Sequence, residues 1–160
     1  MLIGEYRHSL DAKGRMTVPA RFREELGSRV VLTRGLDRCL FVYPVPAWEQ
    51  LRAGLARLPF TQADVRAFAR LFFAGAVEGE VDRQGRLLIP SALREYAGIE
   101  REIAILGLSE RVEIWSAAAW EAYAAGTGPA YEAVAERLFA PGATAPEKTA
   151  PGEAGTGARG

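Results

Sequence analysis

Asp11-Ala12-Lys13-Gly14-Arg15-Met16-Thr17-Val18-Pro19 and Asp82-Arg83-Gln84-Gly85-Arg86-Leu87-Leu88-Ile89-Pro90 are two copies of one phrase. They stand 71 positions apart, with Asp, Gly, Arg and Pro at the same spacing and mostly apolar residues between Arg and Pro. The repeat runs on in register: Arg23-Glu24 matches Arg94-Glu95, and Gly27 matches Gly98. After a one-residue slip, Gly35-Leu36 matches Gly107-Leu108, Val42-Tyr43 pairs with Ile114-Trp115, and Trp48-Glu49 matches Trp120-Glu121. One insertion in an otherwise ordered alignment is the mark of duplication and drift. Two copies are too few for a solenoid. They suit a pseudo-twofold body whose halves complete each other's core.

Each copy reads as strand, turn, strand, short helix, strand pair and a further helix. Asp11 to Gly14 and Asp82 to Gly85 are four-residue turns. Aspartate serves the first position because its side chain accepts from backbone amides ahead of it. Glycine at the fourth tolerates a positive φ that other residues reach only at a cost. The next residue, Arg15 or Arg86, begins a returning strand and is expected at a hairpin rim. Pro19 and Pro90 then suit the first helical position, where a missing N–H breaks no bond. Short helices follow at Ala20 to Leu26 and Ser91 to Ala97, with Gly27 and Gly98 as left-handed stops. Strands are expected at Val30–Thr33, Leu40–Tyr43, Ile103–Leu106 and Val112–Trp115. Gly35 to Arg38 and Gly107 to Glu110 are the turns between them.

Between the copies the apolar period changes to that of helices. Trp48, Leu51, Leu55 and Leu58 fall on one face. Thr61 with Asp64 resembles an acidic capping box that opens a second helix, in which Val65, Phe68 and Phe72 share a side. That wide apolar face serves either the core of one chain or an interface between chains. The last helix, Ala117 to Phe139, is interrupted around Gly126 to Pro129.

At 160 residues and 49% hydrophobic, the chain can bury one real core. The stretch from Pro141 is Pro, Gly, Ala, Thr and a few charges, and disorder is expected there. No segment reaches the ~20 apolar residues of a membrane span. Glu5, Arg7 and His8 argue against a signal peptide. Cys39 stands alone, so no intramolecular disulfide forms, which fits a reducing cytoplasm. Its ordinary role is a small buried residue in a strand rather than a nucleophile. Net charge is zero but unevenly spread. Residues 1–38 carry eight Lys/Arg against five Asp/Glu, and residues 39–76 carry four against two. Residues 77–115 carry five against eight, and residues 116–160 three against five. The basic side belongs to the first copy, a pointer to where an anionic partner would sit.

Enzyme readings are poor. His8 is the only histidine, so neither a histidine metal cluster nor a Ser-His-Asp triad can be assembled in one chain. A carboxylate dyad of Asp11 and Asp82 would share a proton. Aspartic proteases, however, place glycine two residues after the aspartate, and here it is three. No Gly-rich phosphate loop is present, and no cofactor or small-molecule ligand is expected. Arg15 and Arg86 remain. Their planar forks suit phosphate, or guanine O6 and N7 in a major groove. The alternative is a salt bridge from each to its own aspartate, locking the turn. Lys13, Arg21 and Arg23 gather around the first copy and favour the DNA reading.

The duplicated Asp-x-x-Gly-Arg phrase, followed by apolar residues and Pro, resembles the MraZ family of bacterial transcriptional regulators. Gly4-Glu5-Tyr6, Ser9-Leu10-Asp11, Gly35-Leu36-Asp37-Arg38-Cys39-Leu40, Tyr43-Pro44, Trp48 and Phe72-Phe73 extend the likeness over residues 1 to about 140. The resemblance implies an α+β fold: two swapped-hairpin, AbrB-like β-barrel units that close on each other as an internal pseudo-dimer. On that basis residues 1–50 are the first unit, 51–76 connecting helices, 77–121 the second unit, 122–140 a C-terminal helix and 141–160 a disordered tail. It further implies a cytoplasmic, nucleoid-associated regulator that assembles into a ring. Such a protein binds short repeats of double-stranded promoter DNA and usually represses the division and cell-wall operon that it heads. Carried over by position, Arg15 and Arg86 are the DNA-contacting residues, with Lys13 and Arg83 beside them. Gln84 departs from the pattern, being uncharged where the first copy has Lys13. A second reading keeps the fold but makes the chain an antitoxin-like protein-binding module. Such modules usually hold one hairpin unit and an apolar-anchored tail, whereas two units and a tail without anchors stand here.

Overall fold

The structure, a computed structural model of the chain, describes residues 1–141. The tail expected to be disordered, from residue 142 on, lies outside the described residues. Elements follow in the order β1 (Leu2–Ser9), β2 (Arg15–Thr17), α1 (Ala20–Leu26), β3 (Arg29–Arg34), β4 (Leu40–Pro44), α2 (Val45–Leu55) and α3 (Ala63–Ala74). The order then recurs: β5 (Val77–Glu80), β6 (Arg86–Leu88), α4 (Ser91–Tyr96), β7 (Glu102–Ser109), β8 (Val112–Ser116), α5 (Ala117–Thr127), a 3-10 turn at Gly128–Ala130 and α6 (Tyr131–Phe139). The duplication therefore extends through the helical pairs, with α5 and α6 standing where α2 and α3 stand in the first copy. Residues 1–122 form one compact unit that holds both copies of the strand set; a second unit begins at Tyr123. No helix among the described residues is long and apolar enough to cross a membrane.

The pairing of the strands is the main departure from expectation. The turns at Asp11 and Asp82 do not close hairpins, because β1 does not pair with β2, nor β5 with β6. Instead β1 lies antiparallel to β7 from Leu2 opposite Ser109 to Ser9 opposite Glu102. In the same way β5 pairs with β3 of the first copy, Arg29 opposite Glu80. The short strands β2 and β6 pair with each other across the copies. A six-stranded antiparallel sheet results, in the order β1-β7-β8-β4-β3-β5, with the β2-β6 ribbon separate from it. The order is symmetric about the β8–β4 seam, where Leu40 faces Ile114 and Val42 faces Val112. The fold is α+β on antiparallel sheet, and neither copy owns a complete set of paired strands.

Alternation along the strands sends one set of side chains to each face. On the inner face Leu32, Leu40, Val42, Ile103, Ile105 and Ile114 meet Phe22 of α1, Leu93 of α4 and the ribbon residues Met16 and Leu87. Each such side chain, wholly out of water, contributes about 1.5–3 kcal/mol. On the outer face Phe41, Tyr43, Ala104, Leu106 and Trp115 are covered by Trp48, Leu51, Phe72 and Phe73. Trp48 stacks on Phe72 with ring centroids 5.6 Å apart. The aromatic face of the connector thus divides. Phe72 is buried, while Leu71 and Phe68 remain exposed.

Several boundaries shift by a residue or more. Pro19 and Pro90 stand at the N-cap, one place before the first helical residue. Their extended ψ of 134° and 147° carries the ribbon into α1 and α4. Thr61 makes no capping bond. Gln62 occupies the N-cap of α3 without a side-chain partner, and Asp64 supplies only charge to the first turn. The turn expected at Gly107 to Glu110 is tighter, because β7 runs on to Ser109 as long as β1 pairs beside it. Its counterpart β3 has only short β5 for a neighbour and stops at Arg34. The last helix breaks as expected, at Gly128–Ala130.

Candidate nucleic-acid interface

Each aspartate builds its turn in the same way. Asp11 Oδ1 accepts from the backbone N–H groups of Lys13 and Arg15, both at 2.9 Å. Asp82 Oδ1 accepts from those of Gln84 and Arg86, again at 2.9 Å. The Gly14 and Gly85 amides close the turns onto the Asp11 and Asp82 carbonyls at 3.0 and 2.9 Å. Both glycines hold a left-handed φ, 80° and 76°. The second carboxylate oxygen then binds the arginine: Arg15 Nε reaches Asp11 Oδ2 at 2.7 Å, and Arg86 Nε reaches Asp82 Oδ2 at 2.9 Å. The salt bridges weighed from sequence are therefore present. They engage Nε and leave both terminal nitrogens without a partner among the described residues, so each fork is aimed rather than consumed. Exposed pairs of this kind add little to stability; their value is orientation. The Arg15 and Arg86 backbone amides, and then their guanidinium groups, hold the two aspartates below the ordinary carboxylate value of 3.8. With both carboxylates occupied inside their own turns, no shared proton joins Asp11 to Asp82.

The turns deliver their arginines to one small surface. In the β2-β6 ribbon Arg15 lies opposite Leu88, Met16 opposite Leu87, and Thr17 opposite Arg86. Met16 and Leu87 point inward and are buried. Alternation therefore puts Arg15, Thr17, Arg86 and Leu88 together on the outer face. The two arginines occupy diagonal corners, roughly 7–8 Å apart at the backbone. Lys13 and Arg83 are exposed on the turn tips beside them, as is Gln84. A two-stranded ribbon is narrow enough to enter a major groove about 12 Å wide. Arginine forks at its corners, a threonine and an exposed leucine are the side chains to read base edges and thymine methyls there.

A second pair of arginines was not singled out as a site from the sequence, although Arg23 and Arg94 recur at the 71-residue offset. Each crosses to the other copy's turn. Arg23 Nε donates to the Val18 carbonyl at 3.0 Å, and its guanidinium lies against Gly85. Arg94 Nε donates to the Ile89 carbonyl at 3.0 Å, and its guanidinium lies 3.1–3.3 Å from where a Cβ on Gly14 would sit. Backbone bonds run the same way, from Val18 N–H to the Gly85 carbonyl at 2.8 Å and from Ile89 N–H to the Gly14 carbonyl at 3.0 Å. The two turns are laced into a single cationic unit. Glycine is demanded twice over, by its left-handed φ and by the guanidinium packed on it. At Gly85 any Cβ collides with Arg23.

Other reactive groups are absorbed elsewhere. Cys39 is buried under the outer sheet face, and burial pushes its thiol well above the ordinary range. Glu113 is held by Arg111 at 2.8 Å and by the Trp115 indole N–H at 3.0 Å. Among the described residues no group of three or more His, Cys, Asp or Glu side chains is placed to hold a metal ion.

The duplication and the laced turns have counterparts in known proteins. A family model described as "MraZ protein, putative antitoxin-like" matches residues 1–71 and again residues 72–140. A protein of Moorella thermoacetica named transcriptional regulator MraZ is 56% identical over 138 residues, spanning 86% of this chain and 96% of its own. The protein of that name from Pelotomaculum thermopropionicum is 57% identical over 138 residues, covering 86% and 95%. One from Acetivibrio thermocellus is 54% identical over the same length, covering 86% and 96%. With both copies matched and more than half of the aligned residues identical, the chain belongs to the MraZ family.

Proposed function

We propose that this chain is a transcriptional regulator that binds promoter DNA in a sequence-specific manner through the outer face of the β2-β6 ribbon. The observation that carries the reading is the pair of arginines, Arg15 and Arg86, held in identical aspartate cradles at the corners of one exposed ribbon. The relatives' common name, transcriptional regulator, supports the same conclusion. Lys13 and Arg83 add phosphate contacts from the turn tips. The exchange of strands between copies supports a swapped-hairpin fold, with units at 1–50 and 77–121 forming an internal pseudo-dimer, helices at 51–76 between them and the 122–140 helix after them. The regulator acts in the cytoplasm on the nucleoid and represses its own division and cell-wall operon.

One ribbon makes few phosphate contacts, so a single site is weak. A ring of chains set over repeated boxes regains affinity through effective concentration. The deciding experiment is a fluorescence anisotropy titration on the DNA immediately upstream of the protein's own gene, with salt varied and scrambled DNA as reference. Steep salt dependence with clear preference for the upstream DNA is the expected result. Equal affinity for both sequences, or for wild type and the Arg15→Ala and Arg86→Ala chains, overturns it. The family description also carries the word antitoxin; a toxin that co-purifies at one-to-one stoichiometry would favour that reading instead.

A further inference from the structure

The first copy carries a cleft of about 560 Å³ between the β3–β4 loop, α3 and α4. Its apolar surface is Leu36, Phe68, Leu71 and Tyr96, and its basic rim is Arg34 and Arg38. Leu36 and Leu71 are each 61% exposed, an unusual state for two leucines facing one groove. The cleft is built firmly. The Tyr96 hydroxyl donates to the Gly35 carbonyl at 2.7 Å, and Arg34 and Arg38 lie 5.8 and 5.4 Å from the centre of its ring. The α3 wall is fixed by Thr33 and Arg34, which bond the Phe72 and Leu71 carbonyls at 2.6 and 3.1 Å. Asp37 and Arg38 hold left-handed φ values of 66° and 61° without being glycine, a strain that holds the loop in its displayed form.

The same chain carries a helix that matches the cleft. Arg70-Leu71-Phe72 of α3 recurs as Arg137-Leu138-Phe139 at the end of α6. Phe72 is buried, whereas Tyr131, Leu138 and Phe139 are exposed. Tyr131, Val134 and Leu138 stand at i, i+3 and i+7, the anchor spacing of a helix laid in a groove. Glu132 and Glu136 accompany that stripe and complement Arg34 and Arg38. A nine-residue helix holds poorly in water without packing. The charge of the chain agrees in sign. Residues 1–76 carry twelve Lys/Arg against seven Asp/Glu, and residues 77–160 carry eight against thirteen. Oppositely charged halves favour head-to-tail contact between copies.

We infer that α6 of one copy docks in the Leu36–Leu71–Tyr96 cleft of the next. This names the seam of the assembly proposed above and rests on that reading for its closure. The contact is heterologous: each copy offers one cleft and one helix, so copies add until the rotation closes. The test is sedimentation velocity of the full chain without DNA, across a concentration series. The wild type is expected as a closed oligomer. Leu138→Glu removes the helix anchor, and Leu71→Glu or, independently, Leu36→Glu closes the cleft; each alone is expected as monomer with unchanged circular dichroism. An equimolar mixture of Leu138→Glu and Leu71→Glu chains forms one intact seam and stops at a dimer. Arg15→Ala keeps the full oligomer. If the wild type assembles and the three glutamate variants assemble equally well, the seam lies elsewhere and only this inference falls. A mixture that stays monomeric also overturns it. A wild type that is monomeric throughout removes the ring and the seam together.

Discussion

The Asp11–Arg15 and Asp82–Arg86 turns share every backbone bond and differ in nearly everything that faces solvent. Both use one carboxylate oxygen for two amides and the other for an arginine Nε, at distances that agree within 0.2 Å. Yet Lys13 stands where the second turn has Gln84, Thr17 where the second strand has Leu88, and a basic half surrounds one while an acidic half surrounds the other. The difference teaches which part of a duplicated site is constrained. The frame that positions an arginine tolerates no drift, because each turn is also a wall of the other. The charges that tune affinity touch nothing inside the fold and have diverged.

Four measurements break or sharpen that comparison. The largest effect is expected on stability, from alanine at the turn glycines. Gly85→Ala forces a left-handed alanine, at about 1–2 kcal/mol, and displaces Arg23 from its carbonyl, about 1 kcal/mol more. Gly14→Ala meets Arg94 at a distance that a small slide relieves, so it is expected to lose only the conformational part. Urea midpoints at equal slope measure both, and equal losses would remove the packing asymmetry. Next, Arg15→Ala is expected to weaken binding to upstream DNA by about 2 kcal/mol, near thirty-fold, within the range for one bidentate base contact. Arg86→Ala is expected to cost clearly less by anisotropy; parity would mean that the halves share the load. Smaller still is the exchange of tip charges. Gln84→Lys is expected to raise affinity a few-fold and steepen the log–log salt slope by about 0.9, and Lys13→Gln to do the reverse.

The smallest effect is in acid and should be symmetric. Both aspartates titrate below 3.8 in the folded chain, so the stability that they bring is complete above that value. It is lost as pH falls from there through their lowered values. Thermal midpoints are expected to hold from pH 7 to 5 and to drop below 4, with Asp11→Asn and Asp82→Asn shallowing that drop equally. Unequal slopes would show that the cradles are not equivalent.

Much of this was legible in the residues. The Asp, Gly, Arg and Pro of the phrase determine a turn, a left-handed amide, a projecting fork and a helix start by local chemistry alone. Strand partners were not legible. Alternation tells which face a residue takes and says nothing of which distant strand lies beside it, so a turn between two strands was read as a hairpin. Arg23 and Arg94 were visible as recurring positions. Their role was hidden because a brace that crosses between copies leaves no local pattern, only recurrence without evident cause. The α6 motif was missed for a related reason: its 67-residue offset falls out of step with the 71-residue register that exposed the rest.

The exchange of strands also sets when the molecule can come into being. Leu2 has no partner until Ser109 is available, and β3 cannot be flanked before β5 is made. A nascent chain therefore carries its first copy unfinished past the ribosome, with both edges open, until most of the second has emerged. Closing so large a loop makes folding slow relative to helical proteins of this size. It also makes folding all-or-none, since half of the duplication has nothing to close upon. Two genes each encoding one copy would have to find each other by diffusion; one gene encoding both holds the partner on a tether.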